Sequence, residues 1–115
     1  MSHFMLRWQF KYDVAKALVG KPQDRTGPAR TLVESFGGKM HHYFFVFGDY
    51  DGLAICEFPD NTSVAACSLK AMSTGAFARF ETTTLLTAKE AEAAMKQAHG
   101  RTIEPVTISG PGSAS

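Results

Sequence analysis

Two sets of residues in this 115-residue chain have types and spacing suited to chemistry. The first is Gly48-Asp49-Tyr50-Asp51-Gly52, where two carboxylates and a phenol on one turn could hold a cation or orient a small polar ligand. The plainer reading is that Asp49 and Asp51 bond the turn's own amides while Tyr50 covers a core edge. Two carboxylates without a third acid also fall short of the six or more oxygens that Ca²⁺ takes. The second set is polar residues placed inside otherwise apolar segments: Arg7 and Gln9, His41 or His42, Glu57, Arg79 and Glu81. His41 and His42 are adjacent in a segment with strand character, so alternation directs them to opposite faces and they cannot chelate one ion together. A metal site would need His3 or an acid from another strand, and with no ligand spacing in the sequence no metal is expected.

If the second set shares one sheet face, it makes a charged floor under a subunit contact or a cleft. The structural version is paired ions. The functional version is a pocket in which Arg7 or Arg79 holds an anionic or carbonyl-bearing ligand, His41 or His42 stands near the reacting atom, and Trp8, Tyr43 or Phe45 form walls. With Tyr50 and Asp51 of the turn, these are the candidate ligand-binding residues; no catalytic residue is assigned. Lys21-Pro22-Gln23-Asp24-Arg25 is a polar connector able to close over an anion, or simply a solvated joint. No Gly-rich phosphate loop, nucleophile triad or dinucleotide fingerprint occurs, and no cofactor is expected.

Charge and composition narrow the partners. The formal net charge is +1 and the basic residues are scattered, so neither nucleic acid nor an anionic membrane is an expected partner. Cys56 and Cys67 lie inside regular segments with no Cys-x-x-Cys spacing, which reads as buried thiols in a reducing compartment. No apolar run approaches the roughly 20 residues of a membrane span, and Arg7 and Lys11 interrupt the first apolar segment, so a cytoplasmic location is expected.

The elements that must position these residues follow from periodicity. Alternation of Phe4, Leu6, Trp8, Phe10 and Tyr12 with mostly polar neighbours predicts a strand over 4–12. Asp13 is placed to cap a short helix ending at Gly20, and a second helix starts at Thr26-Gly27-Pro28, carries Ala29, Leu32, Val33 and Phe36 on one face, and stops at Gly37-Gly38. Strands over 40–47 and 53–58 flank the Gly48–Gly52 reversal. Asp60 or Asn61 caps a third helix with Ala65, Leu69 and Met72 on one side, closed by Gly75. A fourth strand over 77–86 leads into a last helix that opens with the capping box Thr87-Ala88-Lys89-Glu90; its narrow face of Ala91, Ala94, Met95 and Ala98 suits an accessory element. An edge strand over 103–108 and a disordered tail over 109–115 are expected beyond it. The predicted organisation is one domain over 1–100 and a C-terminal extension over 101–115.

The runs Gly37-Gly38-Lys39, Tyr43-Phe44-Phe45-Val46-Phe47-Gly48-Asp49-Tyr50-Asp51 and Ile55-Cys56-Glu57-Phe58-Pro59-Asp60 resemble the core signature of the GYD domain family. The connector 21–25 and Thr83-Thr84-Leu85-Leu86-Thr87 add to the likeness, which covers nearly all of residues 4–98. The resemblance implies a ferredoxin-like α+β fold related to the dimeric α/β barrels and carries over no catalytic residues. The order β-α-β-β-α-β, with a split first helix and an added last one, is in accord with it. Helices on one face leave the other bare, so a homodimer or higher homo-oligomer is expected. Two functions fit: a non-catalytic module that binds a small molecule at the sheet face or subunit interface, or a cofactor-independent enzyme of the monooxygenase or isomerase type using a pocket His and Arg. The second rests on fold analogy alone.

Overall fold

The computed structural model describes residues 1–105. In chain order the elements are β1 (Ser2–Phe10), α1 (Tyr12–Gly20), α2 (Thr26–Ser35), β2 (Lys39–Phe45), β3 (Gly52–Phe58), α3 (Asn61–Ser73), β4 (Phe77–Leu85) and α4 (Ala88–His99). The strands form one antiparallel sheet in the order β2-β3-β1-β4. That order is compatible with the ferredoxin-like arrangement, in which two split β-α-β units interleave.

Alternation along β1 sets the two faces of the sheet. Phe4, Leu6 and Trp8 are buried under the helices with Met40, Ala54, Cys56, Phe58, Val64 and Cys67. His3, Met5, Arg7 and Gln9 take the helix-free face, half-exposed. The strand stops at Phe10, short of the expected Tyr12, because the register breaks after Gln9 and the Phe10 N–H donates to the Asp51 carboxylate at 2.8 Å.

Several helix signals are realised differently from the sequence reading. Asp13 does not cap α1; it lies in the first turn, and Lys11 stands at the cap position with no side-chain bond. At α2 the Asp24 carboxylate accepts the Thr26 N–H at 2.8 Å, and Gly37, at φ 79°, turns the chain out of the helix. Asp60 caps α3 through the Ser63 N–H, as expected. The inward face of α3 is nevertheless Val64, Cys67, Ser68 and Ala71, while Ala65, Leu69 and Met72 point outward. Small residues win because they let the helix lie close to the sheet, where the Ser68 and Thr82 hydroxyls meet at 2.6 Å. The capping box at Thr87 and Glu90 forms both of its bonds. No residue of α1 or α4 is buried.

β2 contains the largest departure. Its pairing passes from Met40↔Cys56 to His42↔Ile55, leaving His41 as the extra residue of a β-bulge. Met40 is buried, whereas His41 reaches Glu57 and His42 pairs with Ile55 and stacks on Phe44 at 5.9 Å. Both histidines therefore face the helix-free side, correcting the expectation of opposite faces. The strand expected over 40–47 ends at Phe45, and Phe47 is fully exposed. Residues 101–105 have no regular structure, so the edge strand expected over 103–108 does not begin; its remainder and the tail lie outside the described residues.

Candidate functional site

The hairpin turn after β2 reaches across the helix-free face to β4. The Tyr50 hydroxyl donates to Glu81 Oε2 at 2.7 Å, Arg7 Nη2 donates to the same oxygen at 3.0 Å, and Arg79 Nη2 reaches Glu81 Oε1 at 3.1 Å. Arg79 also donates to the Tyr50 oxygen at 2.9 Å. Both guanidinium groups lie over the Tyr50 ring, 4.3 and 4.8 Å from its centre. The Tyr50 phenol, followed by Arg79, holds the Glu81 carboxyl below the ordinary range, and Glu81 in return raises the phenol. Tyr50 therefore stays neutral as a donor, and the set is a charge-paired clamp that fastens the turn to the sheet. Asp51 completes the fastening through the Phe10 amide, while its own N–H donates to the Trp8 carbonyl at 2.8 Å. Its partner is thus β1 rather than the turn's own amides.

Towards the Phe58 end of the same face a second cluster forms. Glu57 Oε1 lies 2.7 Å from His41 Nε2 and 3.5 Å from His3 Nε2, and the two imidazoles stack at 6.2 Å. The hydrogen bond from His41 is the main cause that depresses the Glu57 carboxyl. Among the described residues this is the group of side chains able to hold a metal ion.

On the opposite side a cavity of about 620 Å³, open to solvent at its rim, lies between the sheet and the helices. Its floor includes Leu6, Trp8, Met40, Tyr43, Ala54 and Phe80, and its roof Val14 and Leu18 from α1, Leu32 from α2, and Cys67 and Ala71 from α3. Asp13, Lys21, Gln23 and Arg25, all exposed, supply its polar rim. Trp8 packs on Tyr43 at 5.4 Å and stacks on Phe80 at 6.1 Å. Its indole edge lies over Gly52, where a Cβ would stand 2.5 Å from the ring, so only glycine fits there. The indole Nε1 is buried and has no hydrogen-bond partner among the described residues. Burial raises the Tyr43 phenol, which also feels the charges of Arg25 and Asp24. Cys56 and Cys67 are free and buried, and burial pushes their thiols up to about 12 and about 11, so neither presents a thiolate near neutral pH.

The candidates named from sequence thus fall into separate places. Arg7, Tyr50 and Arg79 meet at Glu81, His41 meets Glu57, and His42 rests on Phe44. Trp8 and Tyr43 line the cavity on the other face. A pocket uniting His41 and Arg7 or Arg79 with Trp8 and Tyr43 walls is not formed, because strand alternation puts the sheet between them. The sequence reading missed the covered cavity. Its available signal was the small lining side chains Ala29, Ala54 and Ala76, which leave space beneath α1 and α2 unfilled.

An antiparallel sheet with helices on one face defines an α+β domain compatible with the ferredoxin-like class. The sequence model of the family described as GYD domain matches residues 4–95, and the chain belongs to that family. Comparison with curated proteins finds no match. A solved structure described as the crystal structure of MtbAldR is similar, with 12% identity and a TM-score of 0.51, over 75% of this chain and 52% of that one. This chain spans about half the length of that protein, and at such identity the likeness concerns the fold alone.

Proposed function

We propose that this GYD domain binds a small, mainly apolar organic molecule with a polar or anionic end, in the cavity between sheet and helices. The observation that carries the reading is the apolar hollow of about 620 Å³ itself, walled by Trp8, Tyr43 and Phe80 beneath the helices. Ligand sites commonly measure about 300–1,000 Å³ and pair apolar walls with a few polar groups. The hollow opens to solvent at its rim, so without a ligand it holds water. An apolar ligand gains by displacing water from such walls. Lys21 and Arg25 at the rim favour a carboxylate or similar group over a cation.

Trp8 is the chain's one tryptophan, so its emission reports the cavity directly. Titration with aromatic and medium-chain carboxylates is expected to change that emission and raise the melting temperature, with stabilisation of about 2.7 kcal/mol at a hundredfold excess over Kd. Ala71→Phe, which fills the roof, should abolish both responses, with circular dichroism checking that this buried substitution still folds. Unaltered emission and melting across the series, or full binding by Ala71→Phe, would remove the proposal.

The same reading includes self-association through the helix-free face, in a dimeric α/β-barrel-like pair. It is supported by Met5, Phe44, Leu53 and Ile55, which surround the polar clusters without helix cover, and by α4, none of whose residues is buried. Light scattering should give twice the chain mass for the wild type and the single mass for Ile55→Glu; a monomeric wild type at high concentration contradicts the pairing. A reducing, cytoplasmic setting belongs to this reading as well, supported by the two free buried thiols.

A further inference from the structure

The cluster of His3, His41 and Glu57 is independent of the cavity, being on the other face of the sheet. Each member comes from a different strand: His3 and Glu57 are directly paired across β1 and β3, and His41 is the bulged residue of β2. Bulges commonly re-aim a side chain, and this one holds His41 over the β3 carboxylate. Both imidazole Nε2 atoms converge on one oxygen, Glu57 Oε1, at 2.7 and 3.5 Å. A proton on His41 satisfies the shorter contact only, whereas one cation between the three groups satisfies all of them.

We infer that His3, His41 and Glu57 form a three-ligand site for a divalent transition cation of the Zn²⁺ type. The ligand atoms lie within 4.8 Å of one another. Tetrahedral zinc with bonds of about 2.0–2.2 Å spaces its ligands about 3.3 Å apart, so closure requires movements of about 1.5 Å or less. In the single chain the side chains are 36%, 40% and 23% exposed, free enough to make that movement, and a fourth ligand would come from water or from the copy that pairs on this face. Two imidazoles and one carboxylate select zinc-like ions over Mg²⁺ or Ca²⁺, which prefer all-oxygen shells. Besides the two histidines, the cation whose charge Glu57 feels is the amino terminus, the competitor on this face.

The test is calorimetric titration of the chelator-treated, tag-free full chain with ZnCl₂. One equivalent per chain is expected to bind. His41→Ala, His3→Ala and Glu57→Gln should each weaken binding at least about tenfold, the lower end of what even outer-shell changes cost. His42→Ala and His99→Ala should leave it intact, and circular dichroism of each variant checks folding. In the wild type, zinc should shift the imidazole proton resonances of His3 and His41 together, a readout that needs no substitution. Absence of wild-type binding, binding undiminished in His41→Ala and Glu57→Gln, or loss on changing His42 or His99 instead would each overturn the assignment.

Discussion

Tyr50 works through its neighbours. Its hydroxyl and ring hold Glu81, Arg7 and Arg79 in one clamp, and Glu81 is the member on which the other three converge. The carboxyl of Glu81 is depressed from its ordinary value of 4.5, first by the phenol hydrogen bond and then by Arg79. A carboxyl lowered in the folded state stabilises the fold fully above its unfolded value, and that contribution disappears as pH falls through the lowered folded value. Urea midpoints should therefore favour the wild type over Glu81→Gln at pH 7. The gap should close as the solution is acidified below pH 4.5 and through the lower folded value. A gap that persists unchanged in acid would show that Glu81 acts through packing. The clamp's charged groups are partly exposed, so the effect belongs with modest surface pairs rather than buried ones.

The sequence expresses its elements well where one face is apolar and the other polar. β1 was readable because Phe4, Leu6 and Trp8 alternate with His3, Arg7 and Gln9, and the grouping of Arg7, Glu57, Arg79 and Glu81 on one face follows from the same alternation. α3 was misread because two helical stripes compete there: Ala65, Leu69 and Met72 are as regularly spaced as Val64, Cys67, Ser68 and Ala71. Only the close approach of helix and sheet chooses between them. The bulge at His41 leaves no mark in residue types, since it is a matter of pairing with β3, yet it decides where both histidines point. The tight fit at Gly52 is likewise tertiary. Gly52→Ala should destabilise by about 1–3 kcal/mol, the usual range for overpacking, and should red-shift Trp8 emission as the indole is displaced from its seat. A variant as stable as the wild type, with unaltered emission, would show that the indole does not depend on that seat.

Across the whole molecule, the fold class could be derived from the order of elements, while the hollow beneath the helices could not. Alternation tells which side chains face inward, but a cavity is the volume they fail to fill, and that depends on how far the helices stand from the sheet. The division of labour between the faces has the same origin. Charged groups collect where no helix covers the sheet, and the apolar hollow opens where helices do.

α1 roofs part of that hollow through Val14, Ala17 and Leu18, yet has no buried residue and no side-chain cap at its start. A segment held by so few buried groups detaches at a small fraction of the global unfolding free energy. A molecule held in the proposed site would therefore exchange by brief fraying of these nine residues while the sheet stays assembled. Amide hydrogen exchange should be orders of magnitude faster in α1 than in β1 or β3, and should slow on occupancy. Protection of α1 equal to that of the central strands would mean the doorway lies elsewhere.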